Sequence, residues 1–299
     1  MTSVLVIGRR RKGRQIGQAV SETRRLLEAA GWSVESAVVT HKSALRKRAA
    51  AAVKAELDMV IAVGGDGAVL QVVNALAESR VVLGIIPKGT GNLLAGNLGI
   101  AHSLEDAVGT LLTGEPRRID LGRVTVEGLE RDFAVTCGIG FDAVVMDATA
   151  NDQKRRWGKL AYFANAIREG RRVRDARHRI TIDGVTTTTQ AAQVFIANFG
   201  RIGTVEPRRR IIPDDGLLDV IVVRASGPLA GVRAGWDALR QRELGESPHG
   251  RTLRARAREV EVSAHPRRLV EIDGSVVGRT PVSASIRPGA LLVMAPPPS

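Results

Sequence analysis

The chain has 299 residues, enough for one large or two ordinary domains, and its 44% hydrophobic and 25% charged residues exclude a disordered or fibrous protein. Its 44 lysines and arginines exceed its 31 acids and give a formal net charge of +13. This charge favours an anionic partner, either a membrane surface, a phosphorylated substrate or a nucleic acid, while 3% aromatic residues disfavour single-stranded nucleic acid because few rings can stack on bases.

The first third of the chain alternates short β-branched runs with helical patterns, which predicts βαβ units and a parallel sheet. Ser103, with Asp106 three residues later, has the spacing of a helix N-cap. Strands are predicted at 4–7, 32–39, 59–63 and 81–87, and helices at 14–30, from 43 onward, at 68–79 and from 103 to about 114.

A glycine-rich loop, VGGDGA at 63–68, lies between a predicted buried strand and a predicted helix. Its glycines let backbone amides approach a ligand, and a helix N-terminus favours an anion, so the loop is either a phosphate site or simply a tight turn. Asp66 would repel a phosphate unless it binds Mg²⁺ or accepts a proton. The loop therefore indicates phosphoryl transfer.

A second glycine-rich loop, PKGTGN at 87–92, follows the next predicted strand. The two loops should lie at the same carboxyl edge of the sheet, where open α/β sheets bind ligands. Neither loop has the Walker A pattern or the dinucleotide-binding fingerprint, so the site belongs to another class.

From about residue 119 the pattern changes to strands separated by Gly, Asp and Pro turns. This change predicts a domain boundary near 117–119 and a cleft between an α/β domain and a β-rich domain. Strands are predicted at 119–126, 131–137, 179–182, 193–197, 218–223, 260–262, 269–272 and 290–294.

Taken in order, the motifs resemble those of the diacylglycerol kinase catalytic-domain family, which includes bacterial lipid kinases and the sphingosine and ceramide kinases and is related to the NAD kinases. The motifs that carry the resemblance are GGDG at 64–67, PKGTGN at 87–92, IDLG at 119–122, GIGFD at 138–142, GKLAY at 158–162, AN at 197–198, DDGLLD at 214–219, DG at 273–274 and PGAL at 288–291. They span most of the chain.

The resemblance implies an open α/β ATP-binding domain at 1–118, a β-sandwich lipid-substrate domain at 119–287, ATP in the cleft between them, and a last strand at about 288–299 that returns to the first domain. Mg²⁺ would be held by the Asp215 side chain and by the backbone carbonyls of Ile212 and Leu217, the alternative being that residues 214–216 form only a hairpin turn. Asp120 would contact the lipid head group or Mg²⁺-linked waters, the alternative being a structural aspartate at the hinge. The residues implied to bind ATP are Thr40, Gly64, Gly65, Asp66, Gly67, Thr90 and Asn92.

Three positions depart from the family pattern. Ser275 stands where the family has a Glu that serves as the catalytic base, and serine cannot act as that base. Ala68 replaces a threonine of the phosphate loop, and a basic stretch at 8–13 replaces an Asn-Pro-x-Ser-Gly loop. Either Asp66 accepts the proton, or activity is low, or the protein is a non-catalytic relative.

A basic segment at 154–179 contains ten lysines and arginines against two acids, with aromatic residues interleaved. It is interpreted either as a helix that lies on an anionic membrane or as a solvated helix that packs on the β-sandwich. Another basic run, at 208–210, is interpreted as a solvated loop because no nucleic-acid-binding motif surrounds it.

The sequence predicts an ATP- and Mg²⁺-dependent lipid kinase of phospholipid biosynthesis, acting on a hydroxyl of a diacylglycerol-like or sphingoid-like lipid. The alternatives are an NAD kinase-like soluble kinase and a non-catalytic lipid- or nucleotide-binding relative. A single cysteine, Cys137, fits a reducing cytoplasm, and apolar runs far shorter than about 18 residues fit a peripheral protein at the inner membrane face. No specific nucleic acid is expected, and a homodimer is compatible with the sequence.

Overall fold

The computed structural model describes residues 1–10, 15–140, 176–199, 213–224, 245–246 and 252–297. The chain forms two compact units, one made of Met1–Asp120 with Gly289–Ser299 and the other of Leu121–Pro288. The motifs at 141–142 and 158–162, the arginines at 208–210 and most of the basic segment at 154–179 lie outside the described residues.

The first unit is an open, parallel α/β sheet with strand order β2-β1-β3-β4. Its strands are β1 (Ser3–Arg9), β2 (Ser33–Val39), β3 (Met59–Gly64) and β4 (Val82–Pro87), and its helices are α1 (Ile16–Ala29), α2 (Lys42–Lys54), α3 (Asp66–Leu76), α4 (Leu93–Asn97) and α5 (Leu104–Thr113). Helix α1 packs with α5, and α2 packs with α3, which gives the two helix layers of a doubly wound fold.

The hydrophobic pattern explains why these segments fold as they do. All six residues of β3 are buried, as expected for a central parallel strand covered on both faces. Helix α1 buries a single stripe that includes Ile16, Val20 and Leu27, spaced one turn or two apart. Helix α5 begins where the sequence predicted, since Ser103 Oγ accepts the Asp106 N–H at 3.1 Å.

The second unit is built from antiparallel strands. One sheet has the order β12-β13-β11-β10-β7-β15-β16, and the second runs from β17 through β14 and β8 to β9, with β5 paired to β6. Strand β5 (Glu115–Val126) begins in the first unit and ends in the second. The strands that follow are β6 (Leu129–Phe133), β7 (Thr136–Ile139), β8 (Ala176–Ile182), β9 (Val185–Ala191), β10 (Gln193–Ala197), β11 (Leu218–Val223), β12 (Gly245–Glu246), β13 (Thr252–Ala257), β14 (Glu259–His265), β15 (Leu269–Ile272), β16 (Ser275–Arg279) and β17 (Val282–Ala295).

The last strand belongs to both units. The first part of β17 pairs antiparallel with β14, and further along Val293 pairs parallel with Leu83 of β4. This return to the first unit, together with the α/β and β-sandwich architecture, confirms the predicted fold class.

One predicted strand, at 131–137, is wrong because it divides into β6 and β7. The carboxylate of Asp273 accepts the backbone N–H groups of Ala134 at 2.7 Å and of Val135 and Thr136 at 2.9 Å. Residues whose amides point together at one carboxylate cannot continue a regular strand ladder. A second correction concerns the basic segment, since 176–179 is strand β8 and not helix.

Within the described ranges, no helix is both long and apolar enough to cross a bilayer.

Candidate functional site

The candidate site lies at the carboxyl edge of the parallel sheet in the first unit. Strands β1, β3 and β4 end there at Arg9, Gly64 and Pro87, and Thr40 follows the end of β2. Strand β2 pairs with one edge of β1, and the next strand along the chain, β3, pairs with the other edge of β1. Because the strand order reverses there, this edge is where a ligand of an open α/β sheet is expected.

The two glycine-rich loops are in direct backbone contact. The Lys88 N–H donates to the Gly64 carbonyl at 2.8 Å. A Cβ added to Gly65 would lie 2.7 Å from the Gly89 Cα, and a Cβ added to Gly89 would lie 2.5 Å from the Gly65 Cα. Any side chain at either position would force the loops apart, so glycine is required for this close approach.

Hydrogen bonds to the side chains of Asp66 and Asn92 hold the second loop in its conformation. The Asp66 carboxylate accepts the Asn92 N–H at 3.1 Å through Oδ2 and the Leu93 N–H at 2.5 Å through Oδ1. Asn92 has a left-handed backbone with φ of 48°, and its side chain accepts the Gly89 N–H at 2.8 Å and donates to the Gly89 carbonyl at 3.2 Å. Asp66 therefore orders the start of α4, a role that the sequence did not predict.

The remaining residues of the predicted ATP site lie around these loops. Gly67 is in the first turn of α3, while Thr40 and Thr90 are exposed at the carboxyl edge. A pocket of about 710 Å³ opens beside Lys88, between the start of α1 and the start of α5. The structure thus brings six of the predicted ATP residues, those from Gly64 to Gly67 and Thr90 with Asn92, into two adjoining loops.

Asp120 lies on β5, outside both glycine loops, and is buried. Its carboxylate accepts the Gly289 N–H at 2.7 Å, and Arg118 donates to the Gly289 carbonyl at 3.0 Å. Gly289 has a φ of +57°, which is strained for other residues. Asp120 therefore fastens the point where the chain returns to the first unit, and its contact with substrate stays a prediction.

The predicted metal ligand Asp215 is paired with an arginine. Ile212 lies outside the described residues. Asp215 accepts the guanidinium of Arg256 on Oδ2 and the Leu217 N–H at 3.1 Å on Oδ1, so an arginine already balances its charge. Across the described ranges, no three His, Cys, Asp or Glu side chains are grouped closely enough to form a metal site of side chains alone.

Ser275 is half-buried at the start of β16 in the second unit. It follows Asp273 and Gly274, whose backbones both have positive φ, of 42° and 76°. Asp273 places its carboxylate on three successive amides of the β6–β7 junction, and Asn198 Nδ2 donates to the Ala134 carbonyl at 3.0 Å beside them. The buried carboxylate of Asp273 therefore holds the turn before Ser275 against the β6–β7 junction.

Sequence reasoning missed the roles of Asp273 and Arg256. Arg256 lies on β13, which was not predicted although LRARA at 253–257 has the alternation of a half-buried strand. Cys137 is fully buried, and burial raises the pKa of its thiol, so it is not a candidate nucleophile.

Comparison with known proteins gives one consistent pattern. Residues 3–124 match the family model described as "Diacylglycerol kinase catalytic domain", and residues 135–295 match "YegS C-terminal NAD kinase beta sandwich-like domain". A crystal structure of a putative diacylglycerol kinase from Bacillus anthracis has the same fold, with a TM-score of 0.83 at 22% identity over 99% of this chain and 95% of that one.

Two relatives show the similarity at the level of sequence. A diacylglycerol kinase of Mycobacterium tuberculosis is 31% identical over 83% of this chain and 80% of the relative. A Synechocystis relative named "Uncharacterized protein sll0036" is 29% identical over 79% of this chain, which spans about half (54%) of that relative's length.

Proposed function

The chain belongs to the diacylglycerol kinase family, and from this membership we propose that it transfers the γ-phosphoryl group of ATP to a hydroxyl of a diacylglycerol-like or sphingoid-like lipid. ATP as the phosphate donor follows from the kinase family. The observation that carries the proposal is the pair of glycine loops, held in backbone contact and locked by Asp66 and Asn92 at the carboxyl edge of the sheet. The loops present backbone amides and a helix N-terminus, which suit the phosphates of a nucleotide.

In the proposed reaction the bond between the γ-phosphorus and the β–γ bridging oxygen breaks, and the lipid hydroxyl oxygen forms the new bond to phosphorus. The loop residues 64–67 and 88–92 hold the phosphates, and Lys88 and Thr90 add a cation and a hydroxyl at this edge. Mg²⁺ carried in by the nucleotide would neutralise charge on the phosphates. Phosphoryl transfer of this kind depends mainly on positioning and charge neutralisation.

The lipid hydroxyl must also lose a proton, and we propose Asp66 as its acceptor because Ser275 has no carboxylate. Asp66 begins α3 at the end of the first loop, and each of its oxygens accepts one backbone N–H. A carboxylate oxygen has two lone-pair sites, so Asp66 can order the second loop and still accept a proton.

The test is transfer of labelled phosphate from ATP to a total lipid extract by the purified chain, with the product identified by mass. A phosphorylated lipid is the expected result. Product only with a soluble nucleotide acceptor would support an NAD kinase-like enzyme, which PKGTGN at 87–92 disfavours. ATP binding without any turnover would contradict the kinase proposal.

The second candidate function is that of a non-catalytic lipid- or nucleotide-binding relative, which ATP binding without turnover would support. Ser275 and Ala68 favour it, because they remove a carboxylate and a hydroxyl from positions where the family has them. The intact geometry of the two glycine loops favours retained nucleotide binding in either case.

We further propose that the protein works as a cytoplasmic, peripheral protein on an anionic membrane, where its lipid substrate resides. The support is the formal charge of +13, which attracts a protein to an anionic surface.

A further inference from the structure

The turn before β11 contains an ion pair at Asp215, the predicted metal ligand. Arg256 donates through Nη2 to Asp215 Oδ2, and the two side chains are 25% and 19% exposed. The pair is therefore partly shielded from solvent and weakly screened. The second oxygen, Oδ1, accepts the Leu217 N–H at 3.1 Å, which closes the turn on itself.

The register between β11 and β13 places Arg256 next to Asp215. In the β11–β13 ladder Asp219 is the direct partner of Arg256, and Arg254 lies on the same face of β13 two residues away. Arg254 bonds Asp219 at 2.9 Å from Nε and 2.7 Å from Nη2, and both side chains are almost fully buried. Because Arg254 neutralises Asp219, Arg256 is available to neutralise Asp215.

The four side chains form two arginine–aspartate pairs with no net charge. A divalent cation at Asp215 would compete with the Arg256 guanidinium for the carboxylate and would place two cationic groups side by side in a partly shielded position. Leaving one partner of a shielded pair uncompensated is strongly destabilising. A planar guanidinium also matches a carboxylate in charge and geometry without any change of protonation.

We propose that Arg256 takes the place of the metal ion at Asp215, so that this turn is held without a divalent cation. The inference goes beyond the proposed kinase function and is independent of it, because none of the reacting groups is involved. It distinguishes Mg²⁺ that accompanies ATP, which the proposed function retains, from Mg²⁺ held by Asp215, which the proposal excludes.

The first experiment measures thermal unfolding of the full chain, without nucleotide, in excess EDTA and in millimolar Mg²⁺. We expect the same Tm in both. A Tm that Mg²⁺ raises in the wild type and no longer raises in Asp215→Asn would overturn the proposal.

The second experiment removes the guanidinium. Arg256→Met should lower the Tm by at least about 3 °C, and adding Asp215→Asn should recover part of the loss because the unpaired charge is gone. Arg258→Met, an exposed arginine two residues further on, is the matched control and should change the Tm little. Equal effects of Arg256→Met and Arg258→Met would show that the pair does not hold this turn.

Because Arg256→Met could prevent folding, a binding measurement on folded proteins completes the test. Mn²⁺, a probe for oxygen-ligand cation sites, is titrated by electron paramagnetic resonance into the wild type and Asp215→Asn. Equal numbers of bound Mn²⁺ support the proposal. One bound Mn²⁺ fewer in Asp215→Asn contradicts it.

Discussion

At the scale of single residues, Asp66 has a proposed role in the reaction and an observed role in the loop. It is the proposed proton acceptor, and it also holds the second glycine loop through the N–H groups of Asn92 and Leu93. Asparagine keeps the size of the side chain but replaces one acceptor oxygen by a donor, which would then face a backbone N–H. Loss of the charge and loss of the loop geometry should therefore occur together.

We predict that Asp66→Asn removes at least about 3 kcal/mol of transition-state stabilisation, which is roughly a hundredfold loss of rate. Turnover is measured together with ATP affinity, which reports on the loop geometry. The matched control is Asp106→Asn, which removes an acid from the first turn of α5 and should leave turnover unchanged. Unchanged turnover in Asp66→Asn would contradict its assignment.

A second prediction concerns Ser275, at the start of β16. If it lies at the reacting centre, Ser275→Glu restores a carboxylate and should raise turnover by about tenfold or more, since general-base catalysis typically contributes about 10²–10⁴-fold. Ser283→Glu, on the exposed side of β17, adds the same charge elsewhere and serves as the control.

The other results of this experiment are equally informative. An inactive wild type and an active Ser275→Glu would make the natural chain a non-catalytic relative. A fast wild type slowed by Ser275→Glu would mean that Asp66 works alone and that a second carboxylate repels the phosphates. No change at all would contradict the placement of residue 275 at the reacting centre.

At the scale of elements, the site depends on two loops that can meet only because neither has a side chain where they touch. A Cβ on Gly89 would lie against the Gly65 Cα and collide with Asn92 Oδ1. Gly96, in the short helix α4, has open space where a methyl group would be added, so it tests the general cost of a glycine substitution nearby.

We predict that Gly89→Ala weakens ATP binding at least tenfold and destabilises the protein by about 1–3 kcal/mol, the usual cost of overpacking. Gly96→Ala should leave both unchanged or slightly improve stability, because alanine favours a helix. Isothermal titration calorimetry measures the ATP affinity, and urea unfolding measures the stability. Equal ATP affinity in the two variants would contradict the close approach of the loops.

The junction between β6 and β7 supports a prediction about stability. Asp273→Ala leaves three backbone N–H groups without their acceptor, two of them buried, and should cost at least about 3 kcal/mol in urea unfolding. Asp183→Ala is a close control: Asp183 also has a positive φ, of 44°, and accepts two amides, but it is exposed. A loss no larger than that of Asp183→Ala would contradict the proposed role of Asp273.

The elements that could be predicted from the sequence are those in which the hydrophobic pattern of neighbouring residues indicates burial. Strands β10 and β11 have the predicted bounds because their runs of apolar and β-branched residues are mostly buried, and β15 has them because its buried residues alternate. Strand β9, VTTTTQA, was missed because it is polar and almost entirely exposed. The break between β6 and β7 was missed because its cause, Asp273, lies far away along the chain.

In the candidate site, too, features with a local sequence signal could be predicted and contacts between distant residues could not. Both glycine loops could be located from their residues, since a glycine-rich turn between strand and helix is a local signal. The hydrogen bonds from Asn92 and Leu93 to Asp66, and from Arg256 to Asp215, join residues that are far apart in the sequence. Such pairings follow from sheet order and register, which one sequence does not display.

At the scale of the whole molecule, the formal charge of +13 supports a prediction about membranes. Binding should be electrostatic, so the protein should sediment with anionic vesicles at low salt and be released at high salt, as the Debye length falls from about 10 Å at 0.1 M to about 3 Å at 1 M. Neutral vesicles are the control. Equal, salt-insensitive binding to both kinds of vesicle would contradict the electrostatic mechanism.

The path of β17 has a consequence for how the protein is made. Val293 pairs with β4, and the Glu78 N–H donates to the Ala290 carbonyl at 2.7 Å, so the sheet of the first unit is completed by residues that follow the whole of Leu121–Pro288. A ribosome adds about 5 to 20 residues per second from the N-terminus. For many seconds of synthesis, then, β4 lacks its partner β17, and the sheet of the first unit is completed only after the second unit has been translated.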